Sequence, residues 1–150
     1  MTAASNYLEN EILDHILGEG ARTFTSPSTL FVGLFSGSAA TALESGTNST
    51  SGSGNWGFYE INNGSYARQA IDFAAASSGS AASSSTATFP QATANYDSAG
   101  SQGNTITHIA ILDASTGGNV LFYGALGTTK TVTNGDTFQI NSGSLTISLA

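Results

Sequence analysis

The sequence predicts a mainly β protein: an antiparallel β-sandwich or flattened barrel with one N-terminal α-helix and long Ser- and Gly-rich loops. Apolar residues near the start recur at every fourth position, which is the period of a helix face. From Thr29 onward the period changes to two, and about seven or eight short strands are expected, as in antiparallel β domains. Ser, Gly and Ala dominate the segments between them. The 150 residues are expected to form one domain over positions 1–150, β-rich at about 29–149.

A helix is predicted from about Asn6 to Leu17. Leu8, Ile12 and Ile16 form an apolar stripe along one side of this segment. A stripe of this kind packs against a sheet or against a neighbouring subunit, because water solvates it poorly. These three residues are therefore candidate assembly contacts.

Both ends of the predicted helix carry suitable residues. Ser5 or Asn6 can cap the N-terminus, where a side-chain oxygen accepts a hydrogen bond from a backbone N–H. Glu9 lies in the first turn, where the helix dipole favours an anion. Gly18 is placed to end the helix, because glycine adopts the left-handed conformation without a steric penalty.

The first predicted strand is the stretch TLFVGLFSG, which begins at Thr29. Its apolar residues fall on both parities, which indicates a strand covered on both faces. These residues are Leu30, Val32 and Leu34 on one parity and Phe31 and Phe35 on the other.

A long surface loop is predicted from Ser36 to Ser65, because small polar residues and glycine dominate this segment. The aromatic residues Trp56, Phe58 and Tyr59 interrupt it, and they are expected to hold the loop against the domain. They are also candidate contacts of an exposed loop.

The stretch YARQAIDF predicts the next strand, with Gln69 and Ile71 on one parity and Arg68 on the other. Arg68 is one of three cationic side chains in the chain, and it is expected to form a charge-assisted hydrogen bond with an acidic partner at a subunit or loop contact. Tyr66 and Arg68 are therefore further candidate assembly contacts. A second Ser- and Ala-rich connector follows, and then a short strand at ATF that Pro90 ends or places at a sheet edge.

The C-terminal part has the most regular pattern. The stretch ITHIAILDASTGGNVLFYGAL, at 106–126, predicts a β-hairpin. Asn134-Gly135 predicts a second turn between strands at 131–133 and 137–140. The closing strand alternates, with Leu145, Ile147 and Leu149 on one face. Together these strands predict an antiparallel meander with one solvated face.

His108 and Asp113 lie in the hairpin but are not expected to act together, because strand alternation puts them on opposite faces. His108 is predicted to share a face with Ile106, Ala110 and Leu112, and a lone His in an apolar run is usually structural. Asp113 begins the turn, where its carboxylate can accept backbone hydrogen bonds. The segment lacks the alternating oxygen ligands of a calcium loop.

Charge and motifs argue against several functions. The net charge of −7 and the pI near 4.3 disfavour binding to nucleic acid or to an anionic membrane. No GxSxG motif occurs, and Glu11 with His15 is best read as a surface pair one helical turn apart. No enzyme activity, cofactor or metal is expected. The remaining enzymatic alternative is a hydrolase of host surface polymer, for which paired carboxylates would be needed. The available residues are Glu44, Glu60, Asp72 and Asp97.

Six blocks, in this order, resemble a family of small tailed-phage virion proteins: NYLENEILDHILG, FTSPSTLFVGLFSG, YARQAIDF, ITHIAILDASTGGNVLFYGAL, KTVTNGDTFQI and GSLTISL. Members are often labelled tail fibre proteins, and some resemble capsid decoration (cement) proteins. The resemblance implies a non-enzymatic structural role in the virion, with assembly in the host bacterial cytoplasm.

Two virion roles follow from the resemblance. The first is a cement protein that binds the major capsid protein and stabilises the outer head, which the acidic composition favours. The alternative is a tail or tail-fibre component that joins other virion proteins or contacts the host surface. Large apolar side chains are scarce and cysteine is absent, so a homo-oligomer, with a trimer favoured, is expected to add stability.

Overall fold

The computed structural model describes residues 3–18, 24–46 and 54–149. These residues form antiparallel sheets and one N-terminal helix, which confirms the predicted fold class, and the described strands do not close into a barrel. The strands are β1 (Ala3–Ala4), β2 (Leu30–Ser36), β3 (Gln69–Ile71), β4 (Ser80–Ala82), β5 (Ala87–Thr88), β6 (Thr105–Leu112), β7 (Val120–Thr131), β8 (Gln139–Ile140) and β9 (Thr146–Ser148). The helices are α1 (Asn6–Leu17), α2 (Ala40–Ser45) and α3 (Trp56–Tyr59). No described helix has the length and apolar character needed to cross a membrane.

The predicted N-terminal helix is confirmed at both ends. Ser5 is the N-cap, and its hydroxyl accepts a hydrogen bond from the backbone N–H of Leu8. The same hydroxyl donates to the carbonyl of Val120, so the cap also fixes α1 to β7. Gly18 ends the helix with a φ of 78°, in the left-handed region, and its N–H donates to the Asp14 carbonyl.

The main sheet has five strands in the order β1-β7-β6-β2-β3, and all its pairs are antiparallel. The predicted hairpin is confirmed as β6 and β7. β2 lies inside the sheet between β3 and β6, and every residue from Val32 to Ser36 is buried, as predicted for a strand covered on both faces. Two small sheets complete the fold: β4 pairs with β9, and β5 pairs with β8.

Two apolar clusters cover the two faces of the main sheet. One cluster consists of Phe35, Ala39, Ala42, Leu43, Trp56, Ala110, Leu112 and Val120, and includes residues of α2 and α3. The other consists of Val32, Leu34, Ile61, Ile71, Ala87, Phe89, Ala92, Tyr96, Ile106, Ile109, Ile111, Val132, Ile140 and Leu145. The prediction of one solvated face is therefore wrong for β6, although Thr146 and Ser148 of β9 are exposed as predicted.

Several pairings differ from the expectation. A turn does occur at Asn134-Gly135, where Gly135 has a φ of 93° and Asp136 accepts a hydrogen bond from the Thr133 N–H. However, β8 pairs with β5 and not with the end of β7, because the chain after the turn crosses to the small sheet. The predicted loop Ser36 to Ser65 contains α2 and α3, and the second Ser- and Ala-rich connector contains β4.

A β-bulge corrects the predicted face of Ile106, which was expected to share a face with His108. The register between β6 and β7 shifts between Ile106 and His108, so alternation does not continue through this point. As a result Ile106 joins the cluster of Ile109 and Ile111, on the face opposite Ala110. His108 is half-buried, its Nδ1 lies 2.9 Å from the Thr107 hydroxyl, and burial lowers the pKa of its imidazole.

Candidate functional site

A buried ion pair joins two loop-borne residues beside the main sheet. Arg68 lies just before β3, and Glu60 directly follows α3. The guanidinium donates from Nε to Glu60 Oε1 at 2.6 Å and from Nη2 to Oε2 at 2.8 Å, which is a two-point contact with the carboxylate. The side chain of Arg68 is 4% exposed and that of Glu60 is 14% exposed. The predicted acidic partner of Arg68 is thereby confirmed as a loop contact within the chain.

The guanidinium also holds the β6–β7 turn. Arg68 Nη1 donates to the backbone carbonyls of Ala114 and Gly117, at 2.7 and 2.8 Å. Its Cζ lies 5.1 Å from the ring centroid of Trp56, in cation–π distance. Burial alone would lower the pKa of Arg68, but the hydrogen bonds and negative charge of Glu60 more than offset it, so this pKa is raised.

Tyr66 connects the ion pair to the central strand. Its hydroxyl accepts a hydrogen bond from the Leu34 N–H at 3.0 Å and donates to Glu60 Oε1 at 3.1 Å. Burial and the nearby Glu60 carboxylate raise the pKa of the Tyr66 phenol well above its usual value. The phenol therefore stays protonated and can remain a donor to Glu60.

The hairpin turn has its own carboxylate, as predicted. Asp113 accepts from the Asn119 backbone N–H at 2.7 Å and from the Asn119 side-chain amide at 2.9 Å. Gly117 and Gly118 have φ values of 60° and 71°, which favour glycine. A Cβ at Gly118 would collide with the Asp113 carboxylate, whereas one at Gly117 would meet open space.

These groups border an open pocket of about 310 Å³. Its lining residues are Glu60, Ile61, Asn62, Tyr66, Ala67, Arg68, Ser115, Thr116 and Gly117. Both oxygens of the Glu60 carboxylate and both Nη atoms of Arg68 already have protein partners. The arrangement suits a rigid connection between the loop after α3, the start of β3 and the hairpin turn.

The predicted aromatic loop is placed differently from the expectation. Trp56 is 1% exposed and meets Phe35 edge to face, with ring centroids 6.2 Å apart, so it is a core residue and not an exposed contact. It does hold the loop against the domain, as predicted. Phe58 and Tyr59 are half-buried and pack edge to face at 5.2 Å.

The apolar stripe of α1 is divided between the interior and the surface. Leu8 is 3% exposed, Ile12 is half-buried and Ile16 is 71% exposed. Leu8 therefore packs within the domain. Ile16, in the last turn of the helix, has no comparable cover.

The carboxylates considered for a hydrolase lie in separate surroundings. Glu60 is bound by Arg68 and Tyr66, while Asp97 Oδ1 accepts backbone hydrogen bonds from Ser98 and Gly103. Glu44 lies on α2 and Asp72 follows β3. In the part of the chain that the structure describes, no three His, Asp or Glu residues are grouped closely enough to hold a metal ion.

Sequence reasoning considered Glu60 only as a hydrolase carboxylate and did not identify it as the partner of Arg68. One available signal was the position of Glu60 directly after three aromatic residues, in a loop with no other acidic residue between Trp56 and Arg68. Such a carboxylate is carried toward the core with its aromatic neighbours, where it needs a cation.

A β-rich domain whose central charged residues are engaged in holding its own loops has the character of a structural protein. Comparison with protein families agrees, because the model described as Podophage GP4 fiber I protein gp80 matches residues 3–148. The chain belongs to this family of phage fibre proteins and is therefore a virion-associated structural protein. This confirms the resemblance to small tailed-phage virion proteins. No curated protein matches the chain.

Proposed function

We propose that this protein is a non-enzymatic component of the phage tail fibre, assembled into the virion in the host bacterial cytoplasm. The family match over residues 3–148 carries the proposal. It favours the fibre role over the capsid cement role, which was the first expectation from sequence. Cement function was expected from the acidic composition, which does not by itself distinguish a head location from a tail location.

Within the fibre, the proposed task is to join other virion proteins. Host contact through the loop aromatics would need exposed rings, but Trp56 is buried under the ion pair. Among the residues that the structure describes, the exposed large apolar side chains lie on α1 and next to β9 instead. Apolar side chains of this size favour protein contacts, because burying them removes apolar surface from water.

Electron microscopy of virions labelled with a gold-conjugated antibody against this protein tests the location. Gold particles at the tail and a low copy number by quantitative mass spectrometry are expected. Labels spread over the capsid, with a copy number close to that of the major capsid protein, would restore the cement role.

A depolymerisation assay tests the absence of enzyme activity. The purified protein is expected to leave host surface polysaccharide intact. If the polymer were cleaved, and Glu44→Gln abolished the cleavage, the non-enzymatic proposal would be wrong. Glu60→Gln is a poorer test, because this change also removes the charge that balances Arg68.

The protein is further proposed to act as a homo-oligomer, with a trimer favoured. In support, the main sheet ends in the short edge strands β1 and β3, and a symmetric neighbour can cover edges of this kind. A chain with few large apolar residues also gains stability when subunits associate.

A further inference from the structure

The outer side of α1 carries apolar side chains where a surface helix normally carries polar ones. Leu13, Ile16 and Leu17 are 53%, 71% and 69% exposed. They recur at the three- and four-residue spacing that puts side chains on one face of a helix. Together with Leu149, which is 62% exposed, they are the large apolar side chains that the described part of the chain leaves in solvent.

Leu13 and Leu149 belong to one continuous surface, and helix periodicity places Ile16 and Leu17 on the same side of α1 as Leu13. Leu13 and Leu149 line the same hollow of about 320 Å³, together with Ala4, Glu9 and Ile12. Leu149 also lines a second, apolar hollow of about 300 Å³ beside Phe122 and Ile147. The apolar groove consists of Ile12, Leu13, Ile16, Leu17 and Leu149. The groove runs beside a helix, which is a geometry that receives a second helix.

The charges next to the apolar groove are negative. Glu9 lines the groove one helical turn before Leu13, and Asp14 follows Leu13 on the same helix. Of the described cations, Arg68 is bound to Glu60, and Lys130 lines a different hollow with Phe138. A partner with basic residues beside its apolar strip is therefore attracted to the groove.

A second copy of the chain is a poor match for the same reason. Each copy has three Lys and Arg residues against ten Asp and Glu, with a net charge of −7. Two copies that meet groove to groove bring the acidic flanks of α1 together and repel each other. Homo-oligomerisation through the β3 edge leaves the groove available, because no residue of β3 lines it, whereas the β1 edge contributes Ala4 to the hollow.

We propose that the apolar groove binds an amphipathic helix of a different virion protein, and that Lys and Arg residues flank the apolar face of that helix. The inference rests on the proposed structural role, and it holds for a fibre or a head location alike. Failure of the binding experiment below is therefore distinguishable from failure of the fibre assignment, which microscopy decides.

The experiment uses a fluorescent synthetic helix made of Leu and Lys, with Leu on one face and Lys on its borders. Two control peptides are a twin with Glu in place of Lys and a scrambled Leu–Lys peptide with no apolar face. Fluorescence anisotropy measures binding to the full chain, and NMR chemical shifts locate it. We expect the amphipathic Leu–Lys helix to bind at the groove, more weakly as salt rises, and the controls to bind at least about tenfold less tightly.

Variants of the protein make the test specific. Leu13→Ser with Leu17→Ser removes apolar surface from exposed positions, so the fold is retained while affinity falls more than about tenfold. Glu9→Gln is expected to lower the affinity for the Leu–Lys helix. It should also make that affinity less sensitive to salt. Asp136→Asn, which changes the net charge equally at a distant turn, leaves both unchanged.

Four results would overturn the proposal. The first three are equal binding of the scrambled or Glu peptide, shifts located outside the groove, and full affinity in the Leu13→Ser, Leu17→Ser variant. A fourth is self-association of the wild type that the same variant abolishes, because a second copy would then occupy the groove.

Discussion

Arg68 carries a charge that is almost completely removed from water, so its partners decide whether it stabilises or destabilises the fold. Glu60 supplies two hydrogen bonds and the opposite charge, and the hairpin turn supplies two carbonyl acceptors. Removing one member of such a pair leaves the other charge buried without compensation, which is more harmful than removing both.

We expect Arg68→Ala to lower the free energy of unfolding by about 3–5 kcal/mol, because Glu60 loses its partner and two carbonyls lose their donor. Urea denaturation measures the change. The double variant Arg68→Met, Glu60→Gln is the control, and it should be less destabilised than Arg68→Ala. A loss below about 1 kcal/mol in the single variant would show that water replaces the guanidinium without difficulty.

The raised pKa of the Tyr66 phenol predicts that the folded state loses stability in alkaline solution. The folded state raises the pKa of its phenol above the ordinary value of 10.0, so the unfolded state loses the proton first as pH rises. Its stabilising contribution is complete below about pH 10 and declines above it. Urea titrations from neutral to alkaline pH should show a flatter decline for Tyr66→Phe than for the wild type. Equal slopes would contradict the assignment.

The helix α1 illustrates how one apolar stripe can serve two purposes. Leu8 is buried against the domain, so Leu8→Ala should reduce the free energy of unfolding by about 2–5 kcal/mol. Ile16 is exposed, so Ile16→Ala should stay within about 0.5 kcal/mol of the wild type. Thermal or urea unfolding of the two variants provides the comparison. A large effect at Ile16 in a monomer would mean that its side chain is covered within the chain.

The β6–β7 turn allows a comparison of neighbouring glycines. Both Gly117 and Gly118 have positive φ, so alanine strains the backbone at either position. At Gly118 the new Cβ also meets the Asp113 carboxylate, which holds the turn. Gly118→Ala should therefore destabilise the protein by at least about 1 kcal/mol more than Gly117→Ala, as measured by chemical denaturation. Equal effects would show that Asp113 can move aside.

Elements governed by local chemistry could be predicted from the sequence, whereas long-range pairings could not. The caps at Ser5 and Gly18 and the hairpin turn at Asp113 are specified by neighbouring residues, and all three are confirmed. The pairing of β8 with β5 depends on segments far apart in the chain. The bulge before His108 depends on the fit between strands, so simple alternation assigned Ile106 to the wrong face.

The ion-pair site, like the fold, could be predicted only in part. The scarcity of cations indicated that Arg68 would have an acidic partner, but several carboxylates were available and spacing does not choose among them. Glu60 becomes the partner because α3 buries Trp56 and the next residues pair with β2, where Glu60 lies opposite Phe35. The short helix itself was hidden in a Gly- and Ser-rich segment with low helix propensity.

At the scale of the whole molecule, the proposed trimer predicts a concentration-dependent mass. Sedimentation equilibrium should show a species of three chains of 15.1 kDa each, and association should strengthen with salt as repulsion between acidic subunits is screened. The Leu13→Ser, Leu17→Ser variant should remain trimeric if sheet edges form the contacts. If the measured mass were that of one chain at every concentration, the homo-oligomer would be excluded.

The strand order also has a kinetic consequence. β6 and β7 are joined by the short turn 113–119, so this hairpin can form early with little loss of chain entropy. β2 pairs with β6 only after the intervening segment 37–104 has closed into a loop, and pairing of this kind slows folding. We therefore expect Gly118→Ala to act mainly by slowing refolding in stopped-flow experiments, and Leu8→Ala mainly by accelerating unfolding. During synthesis, β2 can pair with β3 first, but its other edge must remain unpaired until β6 has left the ribosome.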